Sequence, residues 1–196
     1  MRSSRSLLSM VALAVCAAGT AGVAQAAPAA YAIDPTHTFA TFEISHFGAS
    51  MNRARFDKKT GSVTLDKVAK TGKVDITIDA TSVNSGTAAF DKHLQSPDLF
   101  DTAKYPTITF TGDQFTFEGD KVTAVAGTLT LLGKSAPVTL KANQFACYQS
   151  PMLKREVCGG DFEATIDRTV FGMNYGVDWG FPKSVRIVVQ AEAVKQ

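Results

Sequence analysis

Apolar and polar side chains alternate along most of this chain. The clearest stretch is Lys121 to Leu140, where Val125, Gly127, Leu129 and Leu131 fall on one side and Ala126, Thr128 and Thr130 on the other. That is the period of two which a pleated strand imposes. Gly133 stands where the chain must reverse, since glycine reaches positive φ without a Cβ clash. Beyond it, Val138, Leu140 and Ala142 resume the apolar side against Thr139 and Lys141. Pro137 lacks an N–H and belongs near a strand end or a bulge. Two strands alone are marginal in water, so the rest of the chain must supply more of the same one-sided pattern.

It does. Thr38 to Phe47 places Thr38, Ala40, Phe42, Ile44 and His46 on an inner side and Phe39, Thr41, Glu43 and Ser45 on an outer one. Arg53 to Asp57 and Ser62 to Asp66 read as short strands, and Lys73 to Ala80 turns Val74, Ile76 and Ile78 inward. Thr107 to Thr111 carries Ile108 and Phe110 on one side; Gln114 to Phe117 is read as a separate strand before the Glu118-Gly119-Asp120 turn. Asp161 to Ile166 turns Phe162, Ala164 and Ile166 inward. Val185 to Val194 does the same with Val185, Ile187, Val189 and Ala191, while Val188 and Val194 break the pattern and suggest a partner contact. The one helical stretch after the N-terminal segment is Thr87 to Gln95, with Phe90 and Leu94 four apart on one face. Many short alternating strands with turn signals between them read as an antiparallel sandwich or barrel. A barrel of about eight strands can hold one small ligand.

Composition narrows the picture. Met1 to Ser6 carries Arg2 and Arg5 and no acid, Leu7 to Ala18 is apolar, and Ala24-Gln25-Ala26 fits an A-x-A cleavage site. Residues 1–26 therefore read as a secretory signal peptide, with residues 27–196 as the mature domain in the periplasm or outside the cell. The apolar run is too short to span a bilayer, and the bulky Val15 before Cys16 is a poor lipidation signal. Removing Arg2 and Arg5 takes the formal charge from +2 to zero. A neutral chain without a basic run is a poor nucleic-acid binder and lacks the polybasic patch that anionic membranes attract. Cleavage also removes Cys16, leaving Cys147 and Cys158, an even pair in an exported chain, for which one disulfide is the default reading. The spacing is too long for C-x-x-C, and no histidine stands near to make a metal site.

Candidate chemistry is sparse. His37, His46 and His93 have no recognised metal-ligand spacing, and no G-x-S-x-G marks a nucleophile. Asp161, Glu163 and Asp167 sit on the outer side of a strand, where a solvated face explains them. The glycines of Phe171 to Gly176 do not form a phosphate-cradling loop. What stands out is the inward set of aromatic and aliphatic residues. They either fill a closed core or line a tunnel for an apolar chain.

The order of motifs resembles the YceI family of polyisoprenoid-binding, lipocalin-like proteins across nearly the whole mature chain. Asp34-Pro35-Thr36-His37-Thr38 is similar to the family's D-x-x-H-S/T, and Phe42-Glu43-Ile44-Ser45-His46 to its F-x-V-x-H. Asp91-Lys92-His93-Leu94 and Ser96-Pro97-Asp98-Leu99-Phe100-Asp101 resemble its helix region, and Tyr105-Pro106-Thr107-Ile108-Thr109-Phe110 its Y-P-x-I-x-F. Gly127-Thr128-Leu129-Thr130 with Leu132-Gly133-Lys134, and Arg168 with Phe171-Gly172-Met173, complete the series. Tyr31, where many members have Trp, and Ala54, where Gly is expected, are departures.

The resemblance implies an all-β fold: an extended antiparallel barrel of about eight strands, with one short helix in a connection and a long apolar lumen. It implies binding of an isoprenoid lipid such as a polyprenyl phosphate or a quinone, no catalysis, no other cofactor and a possible homodimer. The candidate lumen residues are Phe42, Ile44, His46, Leu94, Ile108, Phe110, Leu129, Leu131, Phe162 and Ile187. The competing readings are an enzyme using a histidine at the barrel mouth and a structural or stress-response module with a filled core.

Overall fold

The computed structural model describes residues 27–196, so the expected signal peptide and Cys16 lie outside the described residues. Eleven strands form one antiparallel sheet. They are β1 (Ala29–Ile33), β2 (Phe39–His46), β3 (Ser50–Phe56), β4 (Lys59–Asp66), β5 (Thr71–Asp79), β6 (Val83–Asn84), β7 (Thr107–Glu118), β8 (Lys121–Leu131), β9 (Lys134–Gln149), β10 (Glu156–Asp167) and β11 (Ser184–Lys195). Helix α1 (Ala88–Leu94) lies between β6 and β7.

The sheet closes on itself because β1 pairs with both β4 and β11. Three of its positions are occupied by interrupted strands. β1 and β2 follow one another along the same edge of β11, Ile33 opposite Ala193 and Phe39 opposite Gln190. β3 and β4 follow one another beside them, and β6 continues β5 past a 3-10 turn at Ala80–Ser82. Counting each such pair once gives an eight-stranded antiparallel barrel, the expected fold.

Its length comes from β7 to β11, each 11 to 16 residues. At about 3.3 Å per residue such strands run roughly 35–50 Å. Strands this long must bend to close, and bulges do this. The register shifts at Gly112/Gln114, at Thr116/Phe117 and at Asp161/Phe162. The first corrects the sequence reading. Thr107 to Thr111 and Gln114 to Phe117 are one strand, and the extra residue Asp113 moves the inward face from Ile108 and Phe110 to Phe115 and Phe117.

The β8–β9 hairpin turns on Leu132 and Gly133, both with positive φ (52° and 70°), the two-residue geometry whose twist matches the flanking strands. Pro137 lies inside β9, but β9 pairs with β10 only from Lys141 onward, so no second ladder asks for its N–H. Val194 is buried, only 7% exposed, within this chain, so it does not await a partner.

The two ends of the barrel are built differently. At the lower end, Cys147 and Cys158 face each other across β9 and β10 and are joined by a disulfide. Beside it the buried Tyr31 donates to Glu156 Oε1 at 2.6 Å, and Lys67 Nζ donates to Oε2 at 2.7 Å. The bonds from Lys67 and Tyr31 hold the Glu156 carboxyl below its ordinary range. Burial, then the same carboxylate, pushes the Tyr31 phenol up. At the upper end α1 packs over the opening. Seven residues are too few for a helix that stands alone, so packing holds it. Leu94 is buried, and Phe100, just beyond the helix, meets the rings of Phe42 and Phe56 edge-on at 5.5 and 5.3 Å.

Candidate lipid-binding lumen

The inward faces of the strands do not meet in the middle. Between them lies a cavity of about 380 Å³ in the upper half. A second cavity of about 140 Å³ lies below it. Ala40, Ile78, Phe110, Leu140 and Val189 line both, so the two chambers meet at a shared ring of side chains, the waist of the barrel interior. The ring of Phe110 reaches that waist because Gly127, on β8, has no Cβ. A Cβ there would stand 2.8 Å from Phe110 Cζ and would clash with the Thr111 carbonyl oxygen.

Nine of the ten expected lumen residues line the upper chamber: Phe42 and Ile44 with His46 from β2, Leu94 from α1, Ile108 and Phe110 from β7, Leu129 and Leu131 from β8, and Ile187 from β11. Phe162 lines the lower one. The strand residues among them face the lumen because inward parity persists between bulges. His46 sits at the rim, exposed, its ring edge-on to Phe47 at 5.1 Å and to Phe181 at 5.3 Å. His93 lies against Tyr175, centroids 5.1 Å apart, and also lines the upper chamber. His37 does not reach the lumen. It stands outside, with Nδ1 2.8 Å from Asp34 Oδ2. Burial pushes the Asp34 carboxyl up, but bonds from His37 and Thr36 outweigh it and draw it to about 2. The same bond raises His37.

The outward acids behave as a solvated face should. Glu43 takes Arg53 at 2.8 Å and Arg186 at 2.9 Å, and Arg186 also meets Glu163, a ladder across β3, β2, β11 and β10. Such exposed pairs contribute little stability.

The sequence reading missed the upper rim. Tyr175, Trp179 and Phe181, from the segment joining β10 to β11, line the upper chamber. Trp179 and Phe47 are more than half exposed beside it. The available signal was composition: Phe171, Tyr175, Trp179 and Phe181 are four aromatics within one glycine-broken connection, more than a solvated loop requires. Of two buried cations, Lys59 was missed and Arg168 was visible only as a motif residue. Lys59 shares parity with Val63 and Leu65, lines the lower chamber and is 6% exposed. Its Nζ donates to the Asp57 carbonyl at 3.3 Å and lies 4.4 Å from the Phe39 ring; burial lowers its pKa. Arg168, 3% exposed, lines the upper chamber. Its Nε donates to the Pro182 carbonyl at 3.0 Å and Nη1 to that of Met173 at 3.1 Å.

Chemically, the lumen offers apolar contact along its length and a few polar groups in each chamber. Among the described residues, neither His46 nor His93 has a hydrogen-bonded carboxylate to orient it as a general base. The one cluster among the described residues with metal-ligand atoms close together, Cys147, Glu156 and Cys158, has both sulfurs in the disulfide. No helix among the described residues is long and apolar enough to cross a membrane.

Comparison with known proteins gives a consistent picture. The Protein YceI of Escherichia coli O157:H7 is 35% identical over 170 residues, which cover 85% of this chain and 87% of that one. The Salmonella arizonae Protein YceI is 34% identical over the same span. Among solved structures, Burkholderia cenocepacia BcnA superposes with a TM-score of 0.67 at 22% identity, covering 82% of this chain and 98% of that one. A polyisoprenoid-binding domain from Saccharophagus degradans superposes with a TM-score of 0.61 at 18% identity, covering 86% and 99%. The YceI-like domain profile matches residues 31–193, nearly the whole described barrel, and the chain belongs to the YceI-like family.

Proposed function

We propose that this protein is exported and binds an isoprenoid chain in its lumen, to carry or store it. The observation that carries the reading is the waist. Two apolar chambers meet at Ala40, Ile78, Phe110, Leu140 and Val189, and a chain threading between these side chains would occupy both. A thin, flexible, methyl-branched chain suits such a space. The polyisoprenoid-binding domain of Saccharophagus degradans shares the fold and lends the reading support. A filled-core module is disfavoured, because a fully packed interior leaves few voids larger than a water. Binding would be driven by apolar burial, about 0.8 kcal/mol per buried methylene, or roughly fourfold in affinity per carbon until the space is full.

The test is a chain-length series. Polyprenols of increasing length compete with a fluorescent fatty probe, first in the wild type and then in Ala40→Phe, which puts a ring into the waist. The wild type gains affinity with length beyond what the upper chamber alone accommodates, while the variant stops gaining at the shorter length. Failure to bind any polyprenol, or a length profile unchanged by the waist substitution, removes the reading. An enzyme reading would need turnover lost in His46→Ala or His93→Ala without a fall in melting temperature.

A further inference from the structure

The lumen is apolar except for a few groups, and one of them is incomplete. Arg168 is 3% exposed and forms part of the upper chamber wall. Its guanidinium uses Nε and Nη1 on the Pro182 and Met173 carbonyls. Nη2 is sealed from solvent and finds no hydrogen-bond partner among the described residues. Buried polar atoms are nearly always paired, and an unpaired one at a cavity wall calls for an explanation. The charge has no bonded counter-ion among the described residues either. Both partners are neutral carbonyls, and no carboxylate is bonded to the guanidinium. Burial lowers the Arg168 pKa; the neighbouring Asp167 carboxylate opposes this, but its Oδ1 is bonded to Thr169 and it makes no hydrogen bond to the guanidinium. A buried cation without an anion is costly unless something else supplies one.

Lys59, the other buried cation of the lumen, is in a different position. Its ammonium is engaged by the Asp57 carbonyl and the Phe39 ring, and the Asp57 and Asp34 carboxylates act on it. Arg168 also stands at the upper end, where the connection Arg168 to Phe181 forms the rim, so a head group held there leaves the chain to run down past the waist.

We propose that Arg168 Nη2 selects an anionic, oxygen-bearing head group, phosphate or carboxylate, on the apolar chain that fills the lumen. The head displaces the side chains sealing Nη2 and accepts a charge-assisted hydrogen bond from it, while Nε and Nη1 keep the rim segment in place. A guanidinium fork suits such oxygens. This rests on the lipid-binding reading above and narrows it: a neutral head, alcohol or quinone, gains nothing comparable.

The experiment compares heads on one chain. Geranylgeranyl phosphate, geranylgeraniol and a quinone with the same tail compete for the wild type, and oleate with oleyl alcohol forms a second pair. The wild type prefers an anionic head to its neutral counterpart by roughly tenfold or more, the range of a charge-assisted bond. The phosphate pair and the carboxylate pair show separately which anion it takes. In Arg168→Met the neutral ligands keep their affinity and the preference disappears; Arg168→Lys, which keeps the charge, retains part of it. Equal binding of anionic and neutral heads by the wild type overturns the inference without needing any variant. So does an equal loss of both in Arg168→Met, which marks the arginine as a clamp for the rim alone. If no ligand of either pair binds, the lipid-binding reading fails first, a result distinct from binding without head selectivity.

Discussion

The two ends of this barrel solve opposite problems with the same strands. At the lower end the space narrows to about 140 Å³ and the wall is fastened: a disulfide joins β9 to β10, and Glu156 on β10 takes Tyr31 from β1 and Lys67 from the β4–β5 turn. At the upper end the space widens to about 380 Å³, and the closing elements are a two-turn helix, short 3-10 turns and aromatic side chains in loose edge contact. Covalent and charged fastenings hold the narrow end, while the wide end is closed by contacts that can part. Ligand-binding elements are drawn from the less stable parts of a fold by necessity. If the proposed lipid binding holds, fastening and opening belong to different ends, and substitutions should divide along the same line.

The largest expected effect lies at the fastened end. The double substitution Cys147→Ser, Cys158→Ser opens a short loop and lowers stability by about 3 kcal/mol in the chain-entropy model. Urea unfolding measures the loss, and affinity for an upper-chamber ligand stays within about twofold because no upper rim element is touched. A large loss of affinity would show that the two ends are coupled. Leu94→Ala follows at the open end, with about 2 kcal/mol of stability at the low end of the range for such truncations, because the adjoining lumen lets the site relax. Ligand dissociation should quicken in this variant, read by stopped-flow displacement. If the helix is a fixed wall rather than a movable cover, stability falls and dissociation does not change.

Tyr31→Phe removes one bond to a carboxylate, and about 1–2 kcal/mol with it. The pH dependence sharpens this. Glu156 has a folded pKa below its unfolded value, near 4.3. Its contribution is therefore present above about pH 4.3 and lost as pH falls through the folded value. Tyr31 titrates higher in the folded state than in the unfolded one. Its contribution is present below about pH 10 and lost as pH rises through the folded value. Acid should accordingly destabilise the wild type more than Glu156→Gln, and the difference should vanish if the lower network carries no stability. The smallest effect belongs to His37→Ala. It leaves the melting temperature unchanged and raises the Asp34 carboxyl from about 2 toward the ordinary carboxylate range, as NMR titration would show.

Much of the barrel wall was legible in sequence, for a physical reason. Strands with one wet and one dry face display their orientation residue by residue, so Phe42, Ile44, Leu129 and Ile187 were assigned inward from parity alone. Parity fails where the backbone adds a residue. The bulge at Asp113 hid the continuity of β7, because a one-residue insertion flips every following side chain. The rim was less legible still. Trp179, Phe181 and Tyr175 are placed by irregular turns, which have no period to read. Arg168 was visible as a motif residue, but its unpaired Nη2 depends on where the Pro182 and Met173 carbonyls fall, and no local pattern encodes that. Whether the lumen is open was likewise beyond the alternation, which is the same for a filled core and a lined tunnel.

Native mass spectrometry of the protein purified from its own compartment, followed by lipid extraction of the same sample, tests the central claim most directly. The account predicts an adduct of isoprenoid mass carrying an anionic head, one per chain, released on unfolding. A clean ligand-free mass, with no uptake of added polyprenyl phosphate or polyprenol, would contradict it.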